Sequence, residues 1–421
     1  MPAPLRILVA GAGIGGLAAA LACSRAGHQV QVFEKSEPSC EAGVGIQLGP
    51  NVTRILQQWG LTQELQNRAS FPECLQVRDA ATGQQLGRLP LGKTMAARYA
   101  APYATLHRAD LHQMLVGAWQ GSQGQALAFG HEVAGFTQDG AAAHLNLTRT
   151  DGRSLDHQGD LIVGADGLWS RVRQVLLGDG APQDSGHMAL RRLIRQSDLP
   201  LALRVSLHTE DVSVWLGPRL HLVHYPVRGG EWLNLVVIVE NPAASASGDW
   251  SQLPGPDELG LHKMGLNASL RALLELPDGA AEPASASSPG SPMGWRKWNL
   301  FTRPPLQSAQ GHGHGRVALL GDAAHPMLPY LAQGAGMAIE DAQVLAASLS
   351  RLTDMPNRIQ HFAQARWQRN ARVQRRAIRN GQIFHASGAM RWGRDVAMRL
   401  LGERLLDMPW LYGAGQGDGS A

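Results

Sequence analysis

Between Leu5 and Lys35 the chain reads LRILVAGAGIGGLAAALACSRAGHQVQVFEK, and few folds accommodate that order of residues. The apolar run before Gly11 predicts a buried strand, the alanine-rich stretch ending at Gly27 predicts a helix, and HQVQVF predicts a second strand that stops at Glu34. Together they form one β-α-β unit at the start of an α/β chain.

The glycines give that unit a ligand. GAGIGG contains Gly11, Gly13, Gly15 and Gly16, of which Gly11, Gly13 and Gly16 make G-x-G-x-x-G. Gly11 permits a tight turn out of the strand, Gly13 lets backbone approach a pyrophosphate, and Gly16 lets the helix pack on the sheet. The helix N-terminus then offers free N–H groups and a positive dipole end to phosphates. Glu34, with Lys35 after it, ends the second strand where a carboxylate accepts hydrogen bonds from ribose hydroxyls. A carboxylate repels a ribose 2′-phosphate, so the expected dinucleotide is FAD or NAD. On these residues alone, both stay open.

The 421 residues are 44% hydrophobic and 17% charged, which suits two interlocked globular domains or one large one. No apolar run reaches the roughly eighteen residues of a membrane span, and the N-terminus lacks signal-peptide form, so a cytoplasmic protein is expected. Cys23, Cys40 and Cys74 show no metal-ligand spacing, so neither a metal site nor a disulfide is expected. The net charge of +4 comes almost wholly from arginine, without a dense basic run interleaved with aromatics. Nucleic acid is therefore not an expected partner.

Further along, NVTRILQQWGLTQEL and LHRADLHQMLVGAW predict helices, and GDLIVGADGLWSRVRQVL predicts strand, turn and helix. Residues 188–240 alternate apolar and polar positions between turns and predict an antiparallel sheet. In LHLVHYPV the alternation puts His221, Val223 and Tyr225 on one face, with Leu222 and His224 on the other. Residues 278–292, rich in Ala, Ser and Pro, predict a mobile loop. GRVALLGD predicts a parallel-type strand, followed by a long helix and then an Arg-rich helix whose charges form a solvated face.

Three segments, GAGIGG with Glu34, Asp166–Gly167 and GDAAHP, occur in an order that resembles the FAD-dependent aromatic hydroxylases, the class A flavoprotein monooxygenases. The resemblance spans residues 5 to about 385. It implies an α/β architecture in which a Rossmann-type FAD-binding domain is interleaved with an antiparallel-sheet substrate domain and followed by a C-terminal helical segment. The implied division is 1–75, 106–180 and 301–348 for FAD, 76–105 and 181–300 for substrate, and 349–421 for C-terminal helices and tail.

By resemblance, Asp322 holds the ribityl chain, Asp166 lies by the pyrophosphate, and Arg108 contacts the phosphates. Pro326 and Pro329 stiffen the loop over the flavin. Gly334, Ala335, Gly336 and Met337 present N–H groups to the pyrimidine edge. Taken without the resemblance, Asp166 and Asp322 read as turn or cap residues, and Arg108 as a surface charge.

On the substrate side, RYAAPYATLHRADLH and GPRLHLVHYPVRGGEWLN resemble 3-hydroxybenzoate 6-hydroxylase and salicylate hydroxylase relatives. That implies a phenolic substrate met by Tyr103, His221 and Tyr225, with Gln47 and Pro329 also in contact. Gln47 and Pro329 depart from one or another subgroup. The 6-hydroxynicotinate type has His in place of Gln47, and the 3-hydroxybenzoate enzymes have Gln in place of Pro329. The implied reaction uses FAD, NADH or NADPH as transient co-substrate, and O2. It passes through a flavin C4a-hydroperoxide to ring hydroxylation, with His221 as general base and His325 as its rival. A homodimer is a further expectation. A halogenase on the same fold, a flavin oxidase and a flavin-binding regulatory module are the competing readings. GWRKWNLF lacks the Trp-x-Trp-x-Ile-Pro stretch a halogenase needs.

Overall fold

The computed structural model describes residues 3–37, 45–123, 127–240, 259–261, 264–277, 294–351 and 354–414. The segment expected to be a mobile loop, 278–292, lies outside the described residues, except in belonging to the chain between them. The chain forms two compact units, one of residues 1–39, 111–183 and 301–378, the other of residues 40–110, 184–300 and 379–421. Residues 40–75 thus fall in the second unit, where the expected division gave them to FAD.

The first unit is built on a six-stranded sheet with spatial order Gly313–His314, Val317–Leu319, Leu161–Gly164, Arg6–Ala10, Gln29–Phe33 and Leu127–Ala128. All neighbours run parallel except the first pair. Parallel strands require crossovers, and the Ile14–Arg25 helix supplies the first. That helix has ten buried positions, which explains a sequence that is apolar on all sides. Gly15 lets it lie close to the Gly334–Arg351 helix, because a Cβ there would stand 3.3 Å from Ala338 Cβ. An antiparallel sheet of His131–Gln138, Ala143–Arg149 and Ser154–Gly159 shares a core with the parallel one through Phe136, Leu145, Leu147 and Ile162.

The second unit carries a seven-stranded sheet, ordered Arg296–Thr302, Gln183–Arg195, Trp232–Glu240, Leu220–Val227, Val212–Gly217, Cys74–Asp79 and Gln85–Pro90. The expected antiparallel strands are present, and Val212–Gly217 adds a parallel pairing with Cys74–Asp79. One face packs Leu220, Leu222, Leu233, Leu235 and Val237 against Leu270 and Leu273 of the Ala268–Leu274 helix. The opposite face carries His221, Val223 and Tyr225, as the alternation predicts, and there Val223 packs with Val77, Val214 and Leu216. A short ladder of Gly45–Leu48 with Ala104–His107 belongs to this unit too.

Local expectations fail in three places. NVTRILQQWGLTQEL forms two helices, Pro50–Gln58 and Thr62–Arg68, because Gly60 takes φ +79° and breaks the first. LHRADLH begins as strand, and its helix starts at Arg108. In the Met355–Phe384 helix the arginines are not all on a solvated face: Arg358 and Arg366 are buried. Among the described residues no helix is long and apolar enough to cross a membrane.

Candidate active site

The glycine loop of the first unit has the shape the sequence predicts. Gly11 takes φ +100°, and a Cβ on it would meet Ala165 O at 2.4 Å. A Cβ on Gly16 would meet Gly11 O at 1.9 Å, so side chains are excluded at both positions. Around Gly13, by contrast, nothing lies within 4 Å of the Cβ position, and that space is open to a ligand. Glu34 is half-buried and orients the loop: its Oε2 accepts from the Ala12 N–H at 2.8 Å, and its Oε1 from the Ser36 N–H at 3.0 Å. Each oxygen keeps a second acceptor site for a ribose hydroxyl. From the Arg108–Gln123 helix, His112 Nε2 reaches Ala12 O at 2.8 Å and fixes the loop from its other side. Lys35 is exposed.

Asp166 faces its own helix. It accepts from Ser170 Oγ at 2.5 Å and from the Arg171 and Val172 N–H groups at 2.7 and 3.1 Å, capping Arg171–Leu177. Burial pushes its carboxyl up, and these hydrogen bonds act against that. Gly167, at φ +80°, makes the turn between. From the same helix Arg173 donates to the carbonyls of Ala323 and Ala324, at 3.1 and 2.5 Å. The second turn therefore holds the third.

That third turn rests on a buried ionic network. Gly321, at φ +59°, donates its N–H to Asp341 Oδ2. The same oxygen meets His325 Nε2 at 2.5 Å, and Asp341 Oδ1 accepts from Arg366 Nε at 2.7 Å and Asn370 Nδ2 at 2.8 Å. Arg366 and Arg369 both pair with Glu340, at 3.0 and 2.6 Å. Burial opposes the charge on Asp341, but His325 and Arg366 override it and hold the carboxyl far below its usual range. His325 is thus a buried anchor of the loop. The network leaves Asp322 exposed, Pro329 at the start of a short turn, and Gly334, Ala335, Gly336 and Met337 in the first turn of their helix. Nothing lies within 4 Å of a Cβ on Gly334. Open space at Gly13 and Gly334, an exposed carboxylate at Asp322 and spare acceptors on Glu34 suit a dinucleotide with a polyol chain, and the residues fit FAD.

The second unit gathers a different set. Tyr103 donates its hydroxyl to Gln47 Oε1 at 2.7 Å, and Gln47 also hydrogen-bonds Tyr225. Burial pushes both phenols well up, so both stay protonated and act as donors. Opposite Tyr225 on the next strand is Asn234, whose Oδ1 accepts from the Gly45 N–H at 2.7 Å. A Cβ on Gly45 would stand 2.7 Å from the Tyr225 ring, so this approach requires glycine. Asn234 Nδ2 is buried and has no hydrogen-bond partner.

One strand further, Arg191 sits in register with Val236 and so shares this face. Its guanidinium lies 4.5 Å over the Trp298 ring, and its Nε is buried without a hydrogen-bond partner. Burial pulls its pKa down to about 10, the Tyr225 phenol acts the other way, and the charge of Arg108 adds to the depression. Arg191 remains a cation, yet no carboxylate among the described residues pairs with it.

His221 is 1% exposed, with Nδ1 2.8 Å from His385 Nε2 and its ring edge-on to Phe384. Burial and then His385 drive its pKa well below the ordinary value, so the ring is neutral. On the opposite face His224 accepts from Trp215 Nε1 at 3.0 Å and belongs to the core.

Sequence reasoning missed Arg191, Asn234, Gly45, His385 and the Glu340–Asp341 pair. Arg191 had a signal, its register on a predicted strand, but Arg191 and Arg192 are adjacent and point to opposite faces. Only strand pairing tells which one joins the Tyr225 face.

The sequence pattern of a family described as FAD binding domain matches residues 5–199 and 295–377. The 3-hydroxybenzoate 6-hydroxylase of Polaromonas naphthalenivorans is 36% identical, over 98% of this chain and 96% of its own length. The 3-amino-4-hydroxybenzoate 2-monooxygenase of Streptomyces platensis is 35% identical, over 97% and 96%. Among solved structures, a salicylate hydroxylase substrate complex superposes with a TM-score of 0.76 at 25% identity, covering 99% of this chain and 97% of that one.

Proposed function

The chain belongs to the FAD-binding domain family and is a flavin-dependent monooxygenase, and we propose that it hydroxylates the ring of a phenolic carboxylate resembling 3-hydroxybenzoate or salicylate, using NAD(P)H and O2. The observation that carries the substrate class is the pair of unsatisfied buried donors beside Tyr225. A buried guanidinium without an acid, next to an amide N–H and a phenol O–H, is a receptor for an anion. Leaving such donors unfilled costs about 1–3 kcal/mol each, which a bound carboxylate recovers.

The spacing supports the other end of the molecule. Tyr225 and His221 are four positions apart on one strand, about 13 Å, with Val223 between them. A 3-hydroxybenzoate, whose carboxylate and hydroxyl are meta, is of that order with a hydrogen bond at each end. In this reading Arg191, Tyr225 and Asn234 take the carboxylate, Val223 underlies the ring, and His221 takes the phenol proton. Withdrawing that proton makes the ring electron-rich, and positioned bases contribute about 10²–10⁴-fold.

In the first unit, Gly11, Gly13, Gly16, Glu34, Asp322 and the Gly334–Met337 turn hold FAD. The chemistry FAD supplies when bound is acceptance of a hydride from NAD(P)H and delivery of one atom of O2 to an electron-rich carbon. Tyr103 and Gln47 keep the Tyr225 hydroxyl aimed and contribute to excluding water. Buried Cys23 and Cys74, both free thiols, agree with work in the cytoplasm, where NAD(P)H is made.

The test is a screen of 3-hydroxybenzoate, salicylate and 6-hydroxynicotinate against their amides and the matching phenols. It scores NAD(P)H consumption and incorporation of labelled O2 into product. At least one acid should give labelled product, and its amide should bind at least tenfold more weakly. An amide or phenol that binds as tightly as the acid would refute the carboxylate reading.

A further inference from the structure

A base buried as completely as His221 must pass its proton on, and the second unit holds a path. His221 Nδ1 lies 2.8 Å from His385 Nε2, and His385 Nδ1 lies 3.6 Å from Glu240 Oε1, longer than a hydrogen bond and closed by a small turn of the half-exposed Glu240 side chain. Glu240 is half-exposed, at the end of the Trp232–Glu240 strand. The hairpin turn at Arg219 fastens the parts together. Its N–H donates to the His385 carbonyl at 3.1 Å, its carbonyl accepts from the Glu240 N–H at 3.0 Å, and its Nε meets Glu240 Oε2 at 3.1 Å. Arg219 does this in the left-handed region, at φ +62°, which non-glycine residues seldom occupy. A strained residue that clamps both members of a polar chain marks a built arrangement.

We propose that His385 and Glu240 form a proton conduit that carries the substrate's phenol proton from His221 to solvent. The proposal rests on the reading of His221 as the base. The substrate O–H proton passes to His221 Nε2 as His221 gives its Nδ1 proton to His385 Nε2. His385 in turn gives its Nδ1 proton to the Glu240 carboxylate. Three O–H or N–H bonds break and three form, and no buried imidazole ever carries a net charge. The same chain run backwards reprotonates the product before release.

The electrostatics agree. Burial, then the neighbouring His187 and Arg394, pull His385 down to about 3, so it does not store a proton. The charged and titratable groups facing the conduit are His187, whose ring is 5.3 Å from that of His385, together with Arg219 and Arg394. Glu240 is the acid among these contacts and has access to water.

The experiment compares wild type, Glu240→Gln, Glu240→Asp, His385→Asn and His221→Asn, each loaded with FAD and given a hydroxybenzoate that wild type hydroxylates. It measures substrate Kd, the pH profile of hydroxylated product formed per NAD(P)H, and the solvent deuterium isotope effect. Glu240→Gln should leave Kd unchanged, lower coupled product about tenfold, and alter the pH profile, while Glu240→Asp restores most of it. Because Glu240 is half-exposed, this arm stands even where His385→Asn fails to fold. Wild-type coupling and pH profile in Glu240→Gln, alongside a defective His221→Asn, overturn the conduit and leave the base in place. A His221→Asn protein that keeps the wild-type profile overturns both.

Discussion

Arg366 in the first unit and Arg191 in the second are both largely withdrawn from water, and they are treated in opposite ways. Arg366 meets Asp341 at 2.7 Å and Glu340 at 3.0 Å, inside a network closed by Asn370 and His325. Arg191 meets an aromatic ring and no acid among the described residues. A buried cation with its counter-charges supplied is part of the scaffold, whereas one without them awaits an anion. Removing one member of a buried pair strands the other, at about 3–5 kcal/mol. Removing a cation that has no partner strands nothing.

The largest expected effect follows from the first half of that contrast. Asp341→Asn should lower the unfolding free energy by about 3–5 kcal/mol, read from urea denaturation, because Arg366 loses one of its two counter-charges, His325 loses its carboxylate partner and Gly321 its charged acceptor. Flavin content should fall with it, since the same carboxylate fixes the Asp322 turn. A loss below about 1 kcal/mol would mean that the network is not what holds the loop.

Arg191→Met sharpens the other half. Its stability should match or exceed wild type, while the Kd of the aromatic acid rises about 10- to 150-fold, the value of a hydrogen bond to a charged group. The amide of the same acid should bind wild type and variant alike. If Arg191→Met destabilises the fold as much as Asp341→Asn does, the distinction between the two arginines collapses.

The units also meet acid in a common way. His224 in the second and His312 in the first are each buried, and burial lowers both from 6.5 to about 3. Between those values the unfolded chain binds protons that the folded one refuses. Stability is therefore full above pH 6.5 and falls as pH drops toward 3, by about 1.4 kcal/mol per pH unit for each histidine. Urea midpoints at pH 7, 6 and 5 should decline in wild type and decline less in His224→Gln. Equal slopes would show that His224 takes up its proton while folded.

What could be read from the sequence divides along the same line. The loops proposed to hold FAD depend on backbone, on where a Cβ cannot fit and where a helix N-terminus points, and glycine announces both. The shape of the turn at Gly11, Gly13, Gly16 and Glu34 was therefore legible from spacing alone. The face proposed to meet the substrate depends on register between strands far apart in the chain. Gly45 approaches Tyr225 from 180 positions away, and Arg191 reaches the same face only through the Gln183–Arg195 to Trp232–Glu240 to Leu220–Val227 pairings. Alternation sorted His221 and Tyr225 to one side, but it could not say which residues of other strands would join them. Glu340 and Asp341 were visible as acids inside an apolar helix, yet their partners lay in a helix whose arginines looked like a solvated face.

The smallest expected effect bears on that substrate face. Gln47 accepts from Tyr103 and donates to the Tyr225 oxygen, so the phenol is positioned even without ligand and its O–H is directed to the bound acid. Tyr225→Phe removes one neutral hydrogen bond, worth about 0.5–1.5 kcal/mol, and should weaken binding of the acid by no more than about tenfold. Arg191 supplies charge and Tyr225 supplies direction, so the two should couple. In a double-mutant cycle, adding Tyr225→Phe to Arg191→Met should cost less affinity than Tyr225→Phe alone. Strict additivity would place the two donors on different ligand groups and shift the carboxylate to Arg191 and Asn234.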